Sequence, residues 1–346
     1  MKTKSNLILL ATLTLAFATT ASAQVIYVSN TNSNRVGTYS LLTGAALNPS
    51  FISLSQPIAL ALAGNTLYVG TGSSGTGTYD ATTGAVLNPS IFPTFFPADF
   101  ALSGTDIFVA NGSAGTIDRF NATTGAVVAT SFITTPSTDY GLVIVGNDLL
   151  VTQGNGKVSR YSATTGALLN QDFITGLSDP FDLAVSGSTL YVAGRGNGRV
   201  GTYDVATGAV VNASFITGLS GPAGLAVDGG DLYVSTLGAS GANDVVGKYD
   251  ALTGATINAS YITGLDNPFR IVLSIKFPGF FSHCYLCSET GGCKKCGDAH
   301  SGHLYSCGKG SLWYQVYFQF ATKQLPFKFS IFSHITAHHF FDLACF

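Results

Sequence analysis

Between residues 25 and 274, apolar residues alternate with polar ones or form brief continuous runs, and Gly, Asn, Asp or Pro bounds each run. Alternation with a period of two residues predicts half-buried β-strands. A helical repeat would need a period of 3.6 residues, which this region lacks. One stretch shows four such runs in succession, at residues 182–186, 190–192, 199–203 and 209–216. The pattern predicts an all-β fold whose unit is four short strands.

This unit occurs six times. Each copy carries Asp, Asn or Ser, two further residues and then Thr-Gly-Ala, and the Thr-Gly pairs begin at Thr43, Thr83, Thr124, Thr165, Thr207 and Thr253. A unit of 40 to 46 residues with short strands cannot bury its own apolar face, so neighbouring copies must pack together. Four antiparallel strands repeated at this length predict the blades of a β-propeller.

The repeated Thr-Gly-Ala phrase has a structural interpretation. An Asp, Asn or Ser side chain at its head can accept a backbone N–H, and Gly supplies the positive φ that closes a tight turn. We therefore expect the most repeated residues to build turns between strands, and not to carry catalysis.

The number of blades depends on how the ring closes. The region after residue 23 begins with the second strand of a unit, so the missing first strand must come from the carboxyl end. Residues 268–274 would close six blades. Residues 298–302 instead resemble a worn seventh turn, followed by a possible closing strand at 312–320. Chain length favours seven blades, with six as the alternative.

The amino terminus predicts export. Lys2 and Lys4 precede an apolar run at residues 7–18, and Ala-Ser-Ala ends at residue 23. This arrangement is typical of a secretory signal peptide, and its apolar core is too short to span a bilayer. We expect residues 1–23 to be removed and the protein to reach the periplasm, cell surface or extracellular space, with no transmembrane segment in the mature chain.

The repeat region, residues 24–274, has an unusual composition. It contains eight Lys and Arg against fifteen Asp, a net charge of −7, and it contains no Glu, His, Cys or Trp. An acidic domain is poorly suited to nucleic acid. Without His, Cys or Glu, the usual nucleophiles and general bases are missing. We find no quinone, haem or nucleotide motif, and we predict a monomeric, non-enzymatic scaffold for an unknown protein or glycan ligand.

Candidate binding residues come from the first strands, which converge on the axis of a propeller. Aligning them places six residues at equivalent inner positions: Ala59, Asp99, Gly141, Asp182, Gly224 and Arg270. The predicted channel-mouth site combines the charged ones with two neighbours, giving Asp99, Asp139, Tyr140, Asp182 and Arg270. Such carboxylates could coordinate Ca²⁺ or hold a polar ligand. The alternatives are a cation-dependent hydrolase or lactonase, and charged groups that are merely solvated or cap strand ends.

The composition changes abruptly after residue 274. All six Cys and all six His follow it, and four of the cysteines are paired as C-x2-C: Cys284, Cys287, Cys293 and Cys296. Soft ligands of this kind could bind Zn²⁺, although five residues between the two pairs are few for a zinc ribbon. Disulfides, or degraded or frame-shifted sequence, are the alternatives. Residues 275–320 thus form either a degenerate seventh repeat or a Cys/His-rich segment, and we expect 321–346 to be a poorly ordered tail.

The strand patterns resemble the NHL and YVTN repeats of exported bacterial propellers, as in residues 224–228, 232–235 and 246–250. The resemblance covers residues 25–274 and implies a propeller fold. It implies no single function, since such repeats serve in enzymes and in binding discs. Propellers of the gluconolactonase and streptogramin-lyase types use Glu or His, and quinoprotein propellers use Trp, so the repeats lack what these families require.

Overall fold

The computed structural model describes residues 24–73, 75–93, 96–112, 114–238 and 244–274, together with the strands Tyr285–Cys287 and Cys293–Lys295. The chain divides into two compact units, one of which is Ala23–Ile275. In the other, the two short strands pair antiparallel. The predicted signal peptide, residues 298–302 and 312–320, and the tail 321–346 lie outside the described residues.

Twenty-three strands of the larger unit follow one another in groups that correspond to the sequence repeats. The first three are β1 (Val25–Asn30), β2 (Arg35–Ser40) and β3 (Ala46–Ser53). The second group is β4 (Pro57–Ala63), β5 (Thr66–Thr71), β6 (Gly75–Asp80) and β7 (Val86–Phe92). The third is β8 (Pro97–Ser103), β9 (Asp106–Asn111), β10 (Thr116–Asn121) and β11 (Val127–Thr134).

The remaining groups repeat the same order. The fourth is β12 (Asp139–Val145), β13 (Asp148–Gln153), β14 (Lys157–Ser162) and β15 (Leu168–Ile174). The fifth is β16 (Pro180–Ser186), β17 (Thr189–Gly194), β18 (Arg199–Asp204) and β19 (Val210–Ile216), with a 3₁₀ turn at Arg195–Asn197. The sixth is β20 (Pro222–Asp228), β21 (Asp231–Thr236), β22 (Val245–Asp250) and β23 (Thr256–Ile262), and β24 (Pro268–Ser274) follows.

In this part of the chain the strands form six four-stranded antiparallel sheets, which are the blades of a propeller. We number the blades 1 to 6 in chain order. The innermost strands are β24, β4, β8, β12, β16 and β20, and each contacts the next around the ring. The predicted all-β propeller fold with four-stranded blades is confirmed.

The ring closes with six blades, so the preference for seven was wrong. Strand β24 pairs antiparallel with β1, from Val25 opposite Ser274 to Asn30 opposite Pro268, and completes blade 1. The inner strand of blade 1 therefore comes from the carboxyl end of the repeats, as the six-blade alternative requires. Because β24 already occupies this position and contacts both neighbouring inner strands, the ring has no gap for a seventh blade.

The core lies between the blades. Six clusters of buried apolar residues form, and each is shared by two adjacent blades. One of them combines Tyr27 and Val36 of blade 1 with Leu60, Leu67 and Val69 of blade 2. A blade packed on one face only would leave such side chains in water, so the stability of each blade depends on its neighbours.

The Thr-Gly-Ala turns have the structure that the sequence predicts. In blade 2, Oδ1 of Asp80 accepts hydrogen bonds from the backbone N–H groups of Thr82 at 2.9 Å and Thr83 at 2.7 Å. The turn glycine has φ +75° at Gly208, where a Cβ atom would lie 2.1 Å from the carbonyl oxygen of Phe173 in the preceding blade. Glycine is thus required both for the backbone conformation and for close contact between blades.

Side chains also tie each blade to the next. Tyrosine hydroxyls on the second strands of blades 1, 2, 5 and 6 donate to a carbonyl at the end of the third strand in the following blade, at 2.5 to 3.4 Å; these residues are Tyr27, Tyr68, Tyr191 and Tyr233. Blades 3 and 4 have Phe108 and Leu150 at this position. There, Arg119 and Arg160 donate instead to the turns of the next blade, at 3.2 and 2.9 Å.

Candidate functional site

Charged and small residues alternate at the inner positions around the axis. Blades 1, 3 and 5 contribute Arg270, Asp99 and Asp182, whereas blades 2, 4 and 6 contribute Ala59, Gly141 and Gly224. The small residues leave room for the large ones. A Cβ atom on Gly141 would lie 2.8 Å from the carbonyl oxygen of Phe181 and 3.2 Å from Oδ1 of Asp182. The three charged side chains can therefore converge on the axis.

The structure brings Asp99, Asp182 and Arg270 together in what we call the axial triad. Nε of Arg270 lies 3.2 Å from Oδ1 of Asp99, and Nη1 lies 3.2 Å from Oδ1 of Asp182. Both contacts are ion pairs whose angles depart from hydrogen-bond geometry. The triad is buried, with 5% exposure for each Asp and 3% for Arg270. The charged groups of the predicted site thus face one another and have little contact with solvent.

The other polar atoms of the axial triad bind the backbone of further blades. Oδ2 of Asp99 accepts from the N–H of Leu142 in blade 4 at 2.8 Å, and Oδ2 of Asp182 accepts from Leu225 in blade 6 at 2.7 Å. Nη2 of Arg270 donates to the carbonyl of Ala98 at 3.2 Å and to that of Tyr140. Five of the six blades are therefore linked through three side chains.

The electrostatics of the triad follow from its burial. Burial raises the pKa of the Asp99 carboxyl to about 7, with Arg270 opposing the shift and Asp182 adding to it. Burial also raises the pKa of Asp182, again opposed by Arg270. Two carboxyls share one guanidinium, so the charges do not balance when both are ionised. Holding a proton near neutral pH relieves this imbalance.

This arrangement constrains the predicted chemistry. A Ca²⁺ ion between Asp99 and Asp182 would have to displace the guanidinium of Arg270, which already supplies the positive charge. In the described part of the chain, no three His, Cys, Asp or Glu side chains cluster as metal ligands. A catalytic carboxyl would also need to reach a substrate, whereas the oxygens of both Asp residues contact protein groups.

The two remaining predicted residues of this site lie one and two positions before Gly141. Asp139 begins β12, where its backbone pairs with Gln153, and its side chain lies outside the described part. Tyr140 stacks on Phe181 of blade 5, with ring centroids 5.0 Å apart and an interplanar angle of 22°. The ring centroid of Phe181 in turn lies 5.3 Å from Cζ of Arg270, and the backbone carbonyl of Tyr140 accepts a hydrogen bond from Arg270.

Three hydroxyl groups that sequence reasoning missed support the inner strands. Ser29, Thr152 and Ser235 are completely buried on second strands. Ser29 Oγ accepts from the N–H of Arg270 at 2.9 Å, and the other two accept from Gly141 and Gly224 at 2.7 Å. The sequence signal for these residues is a Ser or Thr, in place of an apolar residue, near the end of a second strand.

Sequence reasoning also missed Arg195, which lies in the 3₁₀ turn of blade 5. Its guanidinium carbon is 4.5 Å from the ring centroid of Phe181 and 6.0 Å from that of Tyr140. Its Nε donates to Oδ2 of Asp179 at 2.8 Å. The signal was an Arg in a loop where the other repeats carry small or neutral residues. Of the four predicted cysteine ligands, Cys284 and Cys296 lie outside the described residues, as do the side chains of Cys287 and Cys293.

Comparison with known proteins agrees with this architecture. The chain belongs to a family of β-propeller proteins, since its residues 21–259 match the family described as outer membrane protein assembly factor BamB. No curated protein matches the sequence. The similarity to NHL and YVTN repeats remains a resemblance of strand patterns.

Solved structures share the fold at low sequence identity. One is a chain of a nidogen–laminin complex, 17% identical, with a TM-score of 0.59; the match covers 73% of this chain and 98% of that one. Another is a putative 6-phosphogluconolactonase from Bacteroides uniformis, 18% identical, with a TM-score of 0.53, covering 73% and 100%. At this identity they establish the propeller fold alone. Among the described residues, no helix is long and apolar enough to cross a membrane.

Proposed function

We propose that this protein is an exported, non-enzymatic propeller that acts as a binding scaffold in the cell envelope. The observation that carries the proposal is the axial triad. Its three charged side chains are the strongest candidates for catalysis in the repeats, and they are 3–5% exposed and bound to one another and to the backbone of further blades. Groups held in this way are poorly placed to reach a substrate, because their polar atoms already face protein partners.

Two further observations support the scaffold. The repeats contain no Glu, His or Cys, which removes the usual general bases and nucleophiles. The description of the matching family, an outer membrane protein assembly factor, supports a partner in the cell envelope. Export rests on residues 1–23, whose charge, apolar core and Ala-Ser-Ala end are typical of a signal peptide.

The competing function is a hydrolase or lactonase that acts at the axis, and one experiment separates it from the scaffold. The secreted protein is assayed against lactone and ester substrates, with and without Ca²⁺, beside Asp99→Asn and a control, Asp172→Asn. Asp172 is a largely exposed carboxylate paired with Lys157, away from the axis. We expect no turnover above the buffer rate for any of the three proteins. Turnover that Asp99→Asn abolishes and Asp172→Asn retains would overturn the scaffold function.

Export has its own measurement. The full chain is expressed in a bacterium, and the amino-terminal residue of the product is determined by mass spectrometry in each cell fraction. We expect a periplasmic or secreted product that begins at Gln24. An uncleaved product retained in the cytoplasm would contradict the export proposal and leave the binding function to be judged on the assay above.

A further inference from the structure

Beside the axial triad, four residues of blades 4 and 5 form a compact surface that we call the Arg195 platform: Tyr140, Asp179, Phe181 and Arg195. Phe181 is buried beneath it and contacts both guanidinium groups, with its ring centroid 4.5 Å from Cζ of Arg195 and 5.3 Å from Cζ of Arg270. Tyr140 stacks on Phe181 and is half-buried. The platform thus lies next to the buried axial triad and presents aromatic and polar side chains that are partly exposed.

The platform is held rigidly. The backbone N–H of Arg195 donates to the carbonyl of Asp179 at 3.0 Å, and that of Gly196 donates to Ser178 at 3.2 Å. Asp179 itself has φ +50° directly before a proline, a conformation that non-glycine residues rarely adopt. The same positive φ before a proline recurs at Gln56, Phe96 and Asn267, so the repeated loop between blades enforces this conformation. Little ordering remains to be done when a ligand binds.

Polar groups remain available on this surface. The side chains of Arg195 and Asp179 are joined through Nε and Oδ2, at 2.8 Å, and they are 35% and 33% exposed. Within the described part of the chain, Nη1 and Nη2 of Arg195 and Oδ1 of Asp179 make no hydrogen bond. The platform therefore presents donors and an acceptor next to each other at the edge of an aromatic ring.

The charge of the platform decides which chemistry fits. The charges of Arg195 and Asp179 cancel, so the pair attracts a singly charged ligand of either sign less strongly than an unpaired charged side chain would. The net charge of −7 over the repeats further disfavours an anionic ligand. A neutral ligand whose groups both donate and accept hydrogen bonds satisfies both partners. Adjacent hydroxyls on a sugar ring have this property, and the apolar face of the ring can lie on an aromatic side chain such as Tyr140.

We propose that the Arg195 platform binds a neutral sugar unit, with the Nη groups of Arg195 and Oδ1 of Asp179 on adjacent hydroxyls and Tyr140 beneath the ring. This deepens the proposed scaffold function by naming the ligand class at the axis. The two loops that carry Asp179 and Arg195 differ in sequence from one repeat to the next. The axial triad can stay buried when the ligand binds.

The test is a titration of the full secreted chain with neutral oligosaccharides of glucose, mannose and N-acetylglucosamine, followed by saturation-transfer NMR. We expect saturable binding of at least one of them that does not change between low and high salt, because the sugar is uncharged and the charges of Arg195 and Asp179 cancel. Arg195→Gln and Asp179→Asn each remove a charged hydrogen-bonding group, and each should weaken binding by about tenfold or more. Tyr140→Leu keeps the apolar cover of Phe181 but should also lose binding.

The matched control is Arg199→Gln. Arg199 is exposed at the start of β18, four residues after Arg195, and its side chain donates a hydrogen bond to Ser214 Oγ. This variant should bind like the wild type, and equal thermal melts show that the variants are folded. The proposal is overturned if no oligosaccharide binds, if Arg199→Gln loses binding equally, or if acetate or a capped trialanine peptide competes more strongly than the sugars. Such a failure does not contradict the scaffold function, because only turnover that Asp99→Asn abolishes would overturn that function.

Discussion

Arg270 and Asp99 meet at the propeller axis although they belong to blades 1 and 3, with Nε of Arg270 3.2 Å from Oδ1 of Asp99. Arg270 lies on β24, the strand that closes the ring. Two interactions therefore hold the closing strand: backbone pairing with β1 in blade 1, and the ion pairs of Arg270 with carboxylates across the axis. Loss of either attachment should weaken the whole ring, because no blade is stable by itself.

The first prediction concerns removal of the axial cation. Arg270→Met leaves two buried carboxyls without their counter-charge, and breaking a buried pair in this way costs about 3–5 kcal/mol of unfolding free energy. Denaturant melts at neutral pH measure it. Arg199→Met removes an exposed Arg and should change stability by about 0.5 kcal/mol or less. Equal losses in the two variants would show that the axial ion pairs do not stabilise the ring.

The second prediction is a pH dependence of stability. The pKa of Asp99 is raised in the folded protein, so the folded state binds more protons than the unfolded state between about pH 4 and pH 7. The unfolding free energy should therefore fall as pH rises through this range, by on the order of 3 kcal/mol, and Asp99→Asn should flatten the slope. Melts at a series of pH values test this.

The control for this experiment is Asp172→Asn, which should keep the wild-type slope. Asp80, Asp204 and Asp250, whose turn hydrogen bonds lower their pKa, act in the opposite direction but only at more acidic pH. A wild-type stability that rises between pH 5 and pH 7 would contradict the proton uptake assigned to the triad.

The third prediction concerns the turn glycines. Gly208→Val places a β-branched residue at φ +75° and its Cβ against the carbonyl of Phe173, so the loss should be about 1–3 kcal/mol or more. Gly187 also has a positive φ, of +57°, but no atom lies within 4 Å of the Cβ position. Gly187→Val should cost less, and the difference measures the contact between blades. Equal losses in denaturant melts of the two variants would show that the contact with Phe173 does not contribute to the requirement for glycine.

The fourth prediction tests whether tyrosine and arginine ties are interchangeable. Arg119→Thr removes the hydrogen bond to Thr164 and also the ion pair with Asp106, and it should cost about 1–3 kcal/mol. Adding Phe108→Tyr recreates the pair found in blade 2, Tyr68 with Thr78, and supplies a hydroxyl for the carbonyl of Ala163. The double variant should recover the part of the loss that came from the bond to the next blade, about 1 kcal/mol, whereas Asp106 still lacks its ion-pair partner. If Phe108→Tyr stabilises the wild type and the Arg119→Thr variant equally, the two ties are independent.

The sequence by itself determined the blade. Strand alternation, the spacing of the Thr-Gly pairs and the turn residues all act within 40 to 46 residues, and local hydrogen bonds such as those of Asp80 need no distant partner. The alignment of first strands also placed Asp99, Asp182 and Arg270 at one level of the axis, because equivalent residues of repeated blades occupy equivalent positions.

Only the tertiary structure decided how the ring closes and what the axial charges do. Six blades rather than seven follow from the pairing of β24 with β1, a contact between the two ends of the repeats that no local pattern encodes. The partners of Asp99, and the meeting of Arg195 with Tyr140 of a different blade, likewise depend on distances across the ring. A repeat fixes the unit through short-range contacts, whereas closure and charge pairing are long-range and are set only when all blades have packed.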